Sequence, residues 1–190
     1  WHKFVKWSIS KKRYGLENLA LIPGTVGASP IQNIGAYGKE VSSFIKEVKS
    51  VNLLTGEEKI FSKDDCRFGY RSSLFQSNKE FFITSVVFET SKDPNIDISY
   101  DSLQKFFKAS SIRIDNITPQ EVFDGVSSLR RSVLPDHKKD FNVGSFFKNL
   151  ILEKNDFINL NRIINVPYHE TNLKYKVPSG FLIEKAGWKG

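Results

Sequence analysis

The chain has 190 residues, with 28 Lys and Arg against 21 Asp and Glu, which gives a formal net charge of +7. Hydrophobic residues at 39% and aromatics at 13%, including 16 Phe, supply enough apolar surface for a packed core and exclude a disordered chain. The single cysteine, Cys66, excludes an internal disulfide, and His2, His137 and His169 stand in no ligand spacing, so no metal centre is expected.

Trp1, Phe4, Val5 and Ile9 fall near helical spacing, which predicts an amphipathic helix within residues 1–14, with Gly15 as its C-cap. Five of the 12 glycines, with Pro23 and Pro30, then crowd residues 15–38, so Leu16 to Gly38 reads as loop with short helical turns. From Ser43 to Phe61 apolar and polar residues alternate around Thr55-Gly56, a hairpin pattern, and Phe81 to Glu89 reads as a further strand. Thr118-Pro119-Gln120-Glu121 is a capping box with proline at the first helical position, followed on one face by Val122, Phe123, Val126 and Leu129. A helix over about 119–131 with a stop at Pro135 is predicted. Beyond it come an apolar run over 143–152, Asn-rich loops, and a terminal helix from Ser179 stopped by Gly187. This change of texture places a domain boundary near residue 134. With no methionine even at position 1, and abrupt ends, the chain reads as a piece of a longer protein.

Of the 28 cations only seven are Arg, and the Lys are dispersed among acidic and apolar residues. Lys11-Lys12 and Lys138-Lys139 do not make the one-sided basic stripe of a nucleic-acid binder, so no nucleic-acid partner is expected. An anionic small molecule suits the charge better. No long apolar run and no charged-then-apolar leader is present, which predicts a soluble, cytoplasmic protein with no membrane partner.

The segment from Ile22 to Gly38, with glycine at 24, 27, 35 and 38, can turn successive backbone N–H groups toward one point, as loops that hold a pyrophosphate or a ring edge do. A long structural loop fits the same spacing, which is neither a Walker loop nor GxGxxG. The spacing leaves both open.

Read with Gly15-Leu16-Glu17-Asn18-Leu19, Cys66-Arg67-Phe68-Gly69-Tyr70-Arg71, Gly144-Ser145-Phe146-Phe147-Lys148-Asn149 and Gly187-Trp188-Lys189-Gly190, this segment resembles the UDP-N-acetylenolpyruvoylglucosamine reductase family over essentially the whole chain. Tyr100, in Ile98-Ser99-Tyr100-Asp101, looks like the substrate-loop tyrosine of the family's first type. The resemblance implies an α+β fold: a vanillyl-alcohol-oxidase (PCMH-type) FAD-binding subdomain followed by part of an α/β substrate-binding domain. Residues 1–133 would be the second FAD subdomain and 134–190 the start of the substrate domain. It further implies FAD as cofactor, NADPH as hydride donor and UDP-GlcNAc-enolpyruvate as substrate, reduced to UDP-N-acetylmuramate for peptidoglycan synthesis, with no obligate protein partner.

By the same resemblance Arg71 stabilises the charge left on the substrate after hydride addition at C3, and Ser145 donates the proton to C2. Ile22, Ile31, Gln32, Asn33, Ile34, Gly35, Ala36, Arg71 and Arg130 are implied to contact FAD, and Tyr100, Lys148 and Asn149 the substrate diphosphate. Each has a plainer reading as well. Arg71 could be a surface arginine at a strand end, Ser145 a turn serine bonding its own backbone, Arg130 a cation complementing a helix dipole, Tyr100 a helix cap, and the isoleucines simply core.

The chain departs from the family pattern at Val133, where a lysine usually precedes Leu-Pro, and at Ser72, Leu150, Phe141 and Val143. The family's catalytic glutamate falls beyond Gly190, so the chain alone is expected to be inactive. A decaying copy, or another oxidoreductase of the same flavin fold, are the competing readings.

Overall fold

Helix α1 (His2–Ser10) buries Val5 and Ser8 and packs Phe4 and Ile9 on the core, the face that the spacing predicts. It ends sooner than predicted, because Lys12 rather than Gly15 takes the left-handed position, at φ +53°. Lys12 N–H donates to Ile9 O at 2.9 Å and Arg13 N–H to Ser8 O at 2.9 Å, the bond pair of a Schellman stop built on a lysine. Gly15 serves another purpose: at φ +120°, a Cβ there would lie 2.6 Å from the Phe44 ring. Its N–H donates to both carboxylate oxygens of buried Glu17, at 3.0 and 2.8 Å.

The computed structural model describes every residue except Ser111, His137, Lys138, Val143, Asn172, Lys189 and Gly190. The described chain forms two compact units, Trp1–Asp136 and His137–Gly190. Both combine helices with antiparallel sheet, so the fold is α+β. No helix among the described residues is long and apolar enough to cross a membrane.

In the first unit a 3-10 turn at Glu17–Leu19 leads through loop to a miniature hairpin, β1 (Gly35–Ala36) and β2 (Lys39–Glu40), which places Gly35 opposite Glu40. A three-stranded antiparallel sheet follows, with order β4-β3-β5: β3 (Ile45–Asn52), β4 (Glu58–Ser62) and, after α2 (Leu74–Ser77), β5 (Phe81–Phe88). The hairpin predicted around Thr55-Gly56 is there: Asn52 Oδ1 accepts the Leu54 and Thr55 N–H groups, and Gly56 takes φ +75°. Ile45, Val48 and Phe61 face a core shared with Leu16, Leu19, Cys66 and Phe75. Burial pushes the Cys66 thiol up to about 11.

Helices α3 (Asp101–Ala109) and α4 (Pro119–Val133) close that core with Leu103 and Phe107 from one and Val122, Phe123 and Val126 from the other. The capping box of α4 is complete. Thr118 Oγ1 accepts Glu121 N–H at 3.2 Å, while Thr118 N–H donates to the Glu121 carboxylate at 2.7 Å. Thr118→Ala is expected to cost about 1 kcal/mol of unfolding free energy. Urea denaturation of the chain measures it, and an unchanged midpoint would mean that the cap contributes nothing.

In the second unit β6 (Leu150–Leu152), α5 (Lys154–Ile163), β7 (His169–Thr171) and β8 (Lys174–Val177) precede α6 (Ser179–Lys185), with sheet order β6-β8-β7. Phe157 stacks on Tyr175 at 4.1 Å over a small core with Val166 and Val177. The stop of α6 at Gly187 is as predicted: Gly187 N–H donates to Glu184 O and Trp188 N–H to Ile183 O, both at 3.0 Å.

Candidate active site

The chain reverses at Gly69–Ser72, where the two backbones exchange hydrogen bonds at 3.0 and 3.1 Å and Arg71 sits at the tip with φ +51°. This tight turn inserts the guanidinium into the Asn33–Glu40 segment. Nη2 donates to Gly35 O at 2.6 Å, Nη1 to Asn33 O at 3.3 Å, and Nη1 also approaches Glu40 Oε1 at 3.4 Å. Gly35 is required at this point, since a Cβ would lie 2.6 Å from Arg71 Nη1 and 2.8 Å from Lys39 O. Arg71 is therefore no loose surface arginine: its side chain is only a quarter exposed.

Asn33 supports the same structure from beneath. Buried and left-handed at φ +46°, it donates from Nδ2 to Glu40 Oε2 at 2.8 Å and to Gly69 O at 3.0 Å, and accepts Ser42 N–H at 3.0 Å. Ser73 Oγ donates to Ile31 O at 2.6 Å, fastening the loop to the Arg71 turn. Of the apolar residues in the loop, Ile34 is buried in the core and Ile22 and Ala36 are packed against it. Ile31 and Gln32 face outward.

A second group surrounds Tyr37. Arg130, in the last turn of α4, donates from Nε to Leu21 O at 3.3 Å. Burial pulls its pKa below the ordinary arginine value, and the Tyr37 phenol beside it opposes that shift. Burial also raises the Tyr37 pKa. Tyr100 meets the Tyr37 ring edge-on at 5.6 Å. It precedes α3 without making a side-chain cap bond, and is 47% exposed, so capping does not account for it. Asn18 ties this group together by donating to Tyr37 O at 3.0 Å and Asp97 O at 2.8 Å. Nearby a concavity of about 570 Å³ is lined by Lys39, Asp97, Ser99, Gln104 and Lys108, among others. Hydrogen bonds from Lys39, at 2.8 Å, and from Ser99 hold the Asp97 carboxyl down at about 2.

In the second unit Ser145 follows an Asx turn in which Asn142 Oδ1 accepts Gly144 N–H at 3.0 Å, with Gly144 at φ +69°. Ser145 is exposed, and among the described residues its hydroxyl makes no hydrogen bond, so it is not consumed by its own turn. The following Phe146 and Phe147 meet edge-to-face at 5.1 Å and are exposed. Asn149 Oδ1 accepts Ser179 N–H at 3.2 Å and the Lys148 carbonyl accepts the Ser179 hydroxyl, so both help seat the start of α6. The Asn149 amide N–H groups and the exposed Lys148 ammonium are left over for other partners.

Neither Glu40 nor Tyr37 stands out in the sequence. Glu40 lies 31 positions before Arg71, and no local pattern joins them. Tyr37 lies inside the Ile22 to Gly38 segment but carries no spacing signal of its own. The departures at Val133, Phe141 and Leu150 are all exposed, and Ser72 closes the Arg71 turn through its backbone. Val143, His137 and the Lys189-Gly190 end of the last motif lie outside the described residues.

No protein-family model matches the chain. Among curated proteins it is 42% identical over 194 aligned residues to the UDP-N-acetylenolpyruvoylglucosamine reductase of Burkholderia multivorans, and 41% over 196 to that of Bdellovibrio bacteriovorus. It is 42% identical over 196 to the Flavobacterium johnsoniae enzyme. All of the chain aligns in each case, and it spans 56 to 57% of the length of these relatives. Among solved structures, the crystal structure of the Thermus caldophilus UDP-N-acetylenolpyruvylglucosamine reductase matches with a TM-score of 0.58. That match covers 99% of this chain and 51% of that one at 17% identity, a likeness of fold alone.

Proposed function

Because the chain belongs by sequence to the UDP-N-acetylenolpyruvoylglucosamine reductase family, we propose that the protein carrying it reduces UDP-GlcNAc-enolpyruvate to UDP-N-acetylmuramate in the cytoplasm, with NADPH as reductant. The observation that carries this reading is 41 to 42% identity sustained over the entire chain to proteins of that name. Residues 1–133 then act as an FAD-binding subdomain of the vanillyl-alcohol-oxidase type, and 134–190 as the start of the substrate domain.

The residues present suit a flavin dinucleotide. Arg130 is half-buried and meets the Leu21 carbonyl and the Tyr37 phenol but no carboxylate among the described residues, so its charge can receive an anionic group. Outward-facing Ile31 and Gln32 stand on the loop that Arg71 braces, and offer an apolar edge and an amide to a flat ring. The segment from Ile22 through Gln32, Asn33, Ile34, Gly35 and Ala36 would hold the cofactor together with Arg71 and Arg130. When bound, the flavin supplies hydride for C3 of the enolpyruvyl group.

Arg71 keeps Nε–H and one Nη2–H beyond its three hydrogen bonds, and these can receive the substrate carboxylate as charge builds on it. A guanidinium is always charged and engages a carboxylate in two places, which an ammonium cannot do. Ser145, exposed and without a hydrogen-bond partner among the described residues, would supply the proton that C2 requires. Tyr100, Lys148 and Asn149 serve the substrate diphosphate.

In the full-length protein, NADPH oxidation should depend on added UDP-GlcNAc-enolpyruvate and release UDP-N-acetylmuramate. A flavin that NADPH bleaches and the UDP-sugar never reoxidises would overturn the reading in favour of another oxidoreductase. Val133 is 65% exposed at the end of α4, at the position where the family resemblance implies a lysine. Val133→Lys is expected to lower KM for the UDP-sugar about threefold to tenfold, the worth of one phosphate-facing charge. An unchanged KM would show that the diphosphate is held without that position.

A further inference from the structure

We propose that Glu40 is a positioning residue for Arg71, orienting the guanidinium toward the substrate carboxylate; this rests on the reductase reading above. Glu40 is the one carboxylate that Arg71 meets among the described residues, and it divides its two oxygens. Oε2 accepts Asn33 Nδ2 at 2.8 Å and Oε1 faces Arg71 Nη1 at 3.4 Å. Asn33 closes the circuit, because its own carbonyl accepts the same Nη1 at 3.3 Å.

The miniature hairpin is what makes this arrangement possible. Register pairs Gly35 with Glu40, so the carbonyl that takes Nη2 and the carboxylate that takes Nη1 arise from opposed residues of one two-rung ladder. A Cβ at Gly35 would come within 3.0 Å of Glu40 Cγ as well as striking the guanidinium. Partners on Nη1 and Nη2 fix the plane of the guanidinium and leave its remaining donors in a defined direction.

The pair is partly buried and long, at 3.4 Å, so its direct contribution to stability is small, and the Gly35–Glu40 ladder is made by backbone groups. The carboxylate matters through direction. Glutamine in its place has one acceptor oxygen for two donors, and turns an N–H toward either Asn33 Nδ2 or Arg71 Nη1. Arg71 then loses one of the groups that hold its plane while retaining its charge.

The test is a double-mutant cycle in the full-length reductase, reading both half-reactions by stopped flow together with flavin content. Glu40→Gln is expected to slow reoxidation of reduced flavin by UDP-GlcNAc-enolpyruvate by about 10- to 100-fold, as for a reacting group displaced by about an ångström, with flavin reduction by NADPH changed less than about threefold. In an Arg71→Ala background the same substitution should cost less than about twofold, because no guanidinium is left to orient. Glu40→Asp, which keeps both oxygens on a shorter stem, should fall between wild type and Glu40→Gln. Equal slowing by Glu40→Gln in both backgrounds, or in both half-reactions, would overturn the proposal in favour of a structural role. Wild-type reoxidation in Glu40→Gln with normal flavin content would overturn it outright. If Arg71→Ala itself reoxidises normally, it is the assignment of Arg71 that has failed, and the proposal with it.

Discussion

Alanine at Ser145 is expected to separate the two half-reactions of the full-length enzyme. In the reaction proposed above the serine supplies only a proton at C2 of the substrate and takes no part in accepting electrons from NADPH. General-acid donation is worth about 10²- to 10⁴-fold in rate, so reoxidation by the UDP-sugar should slow by at least the lower figure while NADPH bleaches the flavin almost as before. The local structure favours this separation. Ser145 is exposed, and the turn before it is held by Asn142 and the left-handed Gly144, so removing a hydroxyl should leave the backbone in place. Ser145→Cys keeps an ionisable proton and should recover part of the loss. Stopped-flow absorbance on both half-reactions is the measurement, and equal slowing of the two would assign Ser145 to holding the loop rather than to proton transfer.

Arg71→Lys should be nearly as damaging although the formal charge is unchanged. The guanidinium donates in three directions, to Gly35 O, Asn33 O and Glu40, and still has two N–H groups for a ligand. An ammonium has three donors in all, and its tetrahedral head cannot match the planar fork. We expect steady-state turnover to fall by about 10²- to 10³-fold, the loss found when one preorganised donor to a developing charge is removed. Lysine at φ +51° is no more strained than arginine, so the turn should survive. Unchanged turnover would remove Arg71 from the chemistry.

Elements governed by neighbouring residues were legible in the sequence. Thr118 through Glu121 specify their helix start by a reciprocal bond across three positions, and Asn52 and Gly56 specify the β3–β4 turn by local bonds. The end of α1 was not legible. Its stop depends on a lysine adopting a left-handed backbone, whereas composition pointed to the nearest glycine, and Gly15 is reserved for contact with Phe44 across the fold. The site shows the same division. Glycine spacing marked the loop, but the partners of Arg71 lie 31 to 38 positions away, and nothing local in Glu40 or Asn33 announces that they share a guanidinium. Which isoleucines turn inward was equally unreadable, since Ile31 and Ile34 are alike in type and differ only through the bend that Asn33 makes between them.

Cys66 has a practical consequence for work in solution. The chain's one thiol is fully buried and its pKa is raised to about 11, so thiolate is scarce at neutral pH and alkylating reagents have no path to it. The described chain thus offers no accessible thiol of its own. Any exposed cysteine placed by design becomes the sole reporter in the chain, and Ser145→Cys is such a position. Its rate of labelling, followed with and without nucleotide-sugar, would then record how ligands shield that one point.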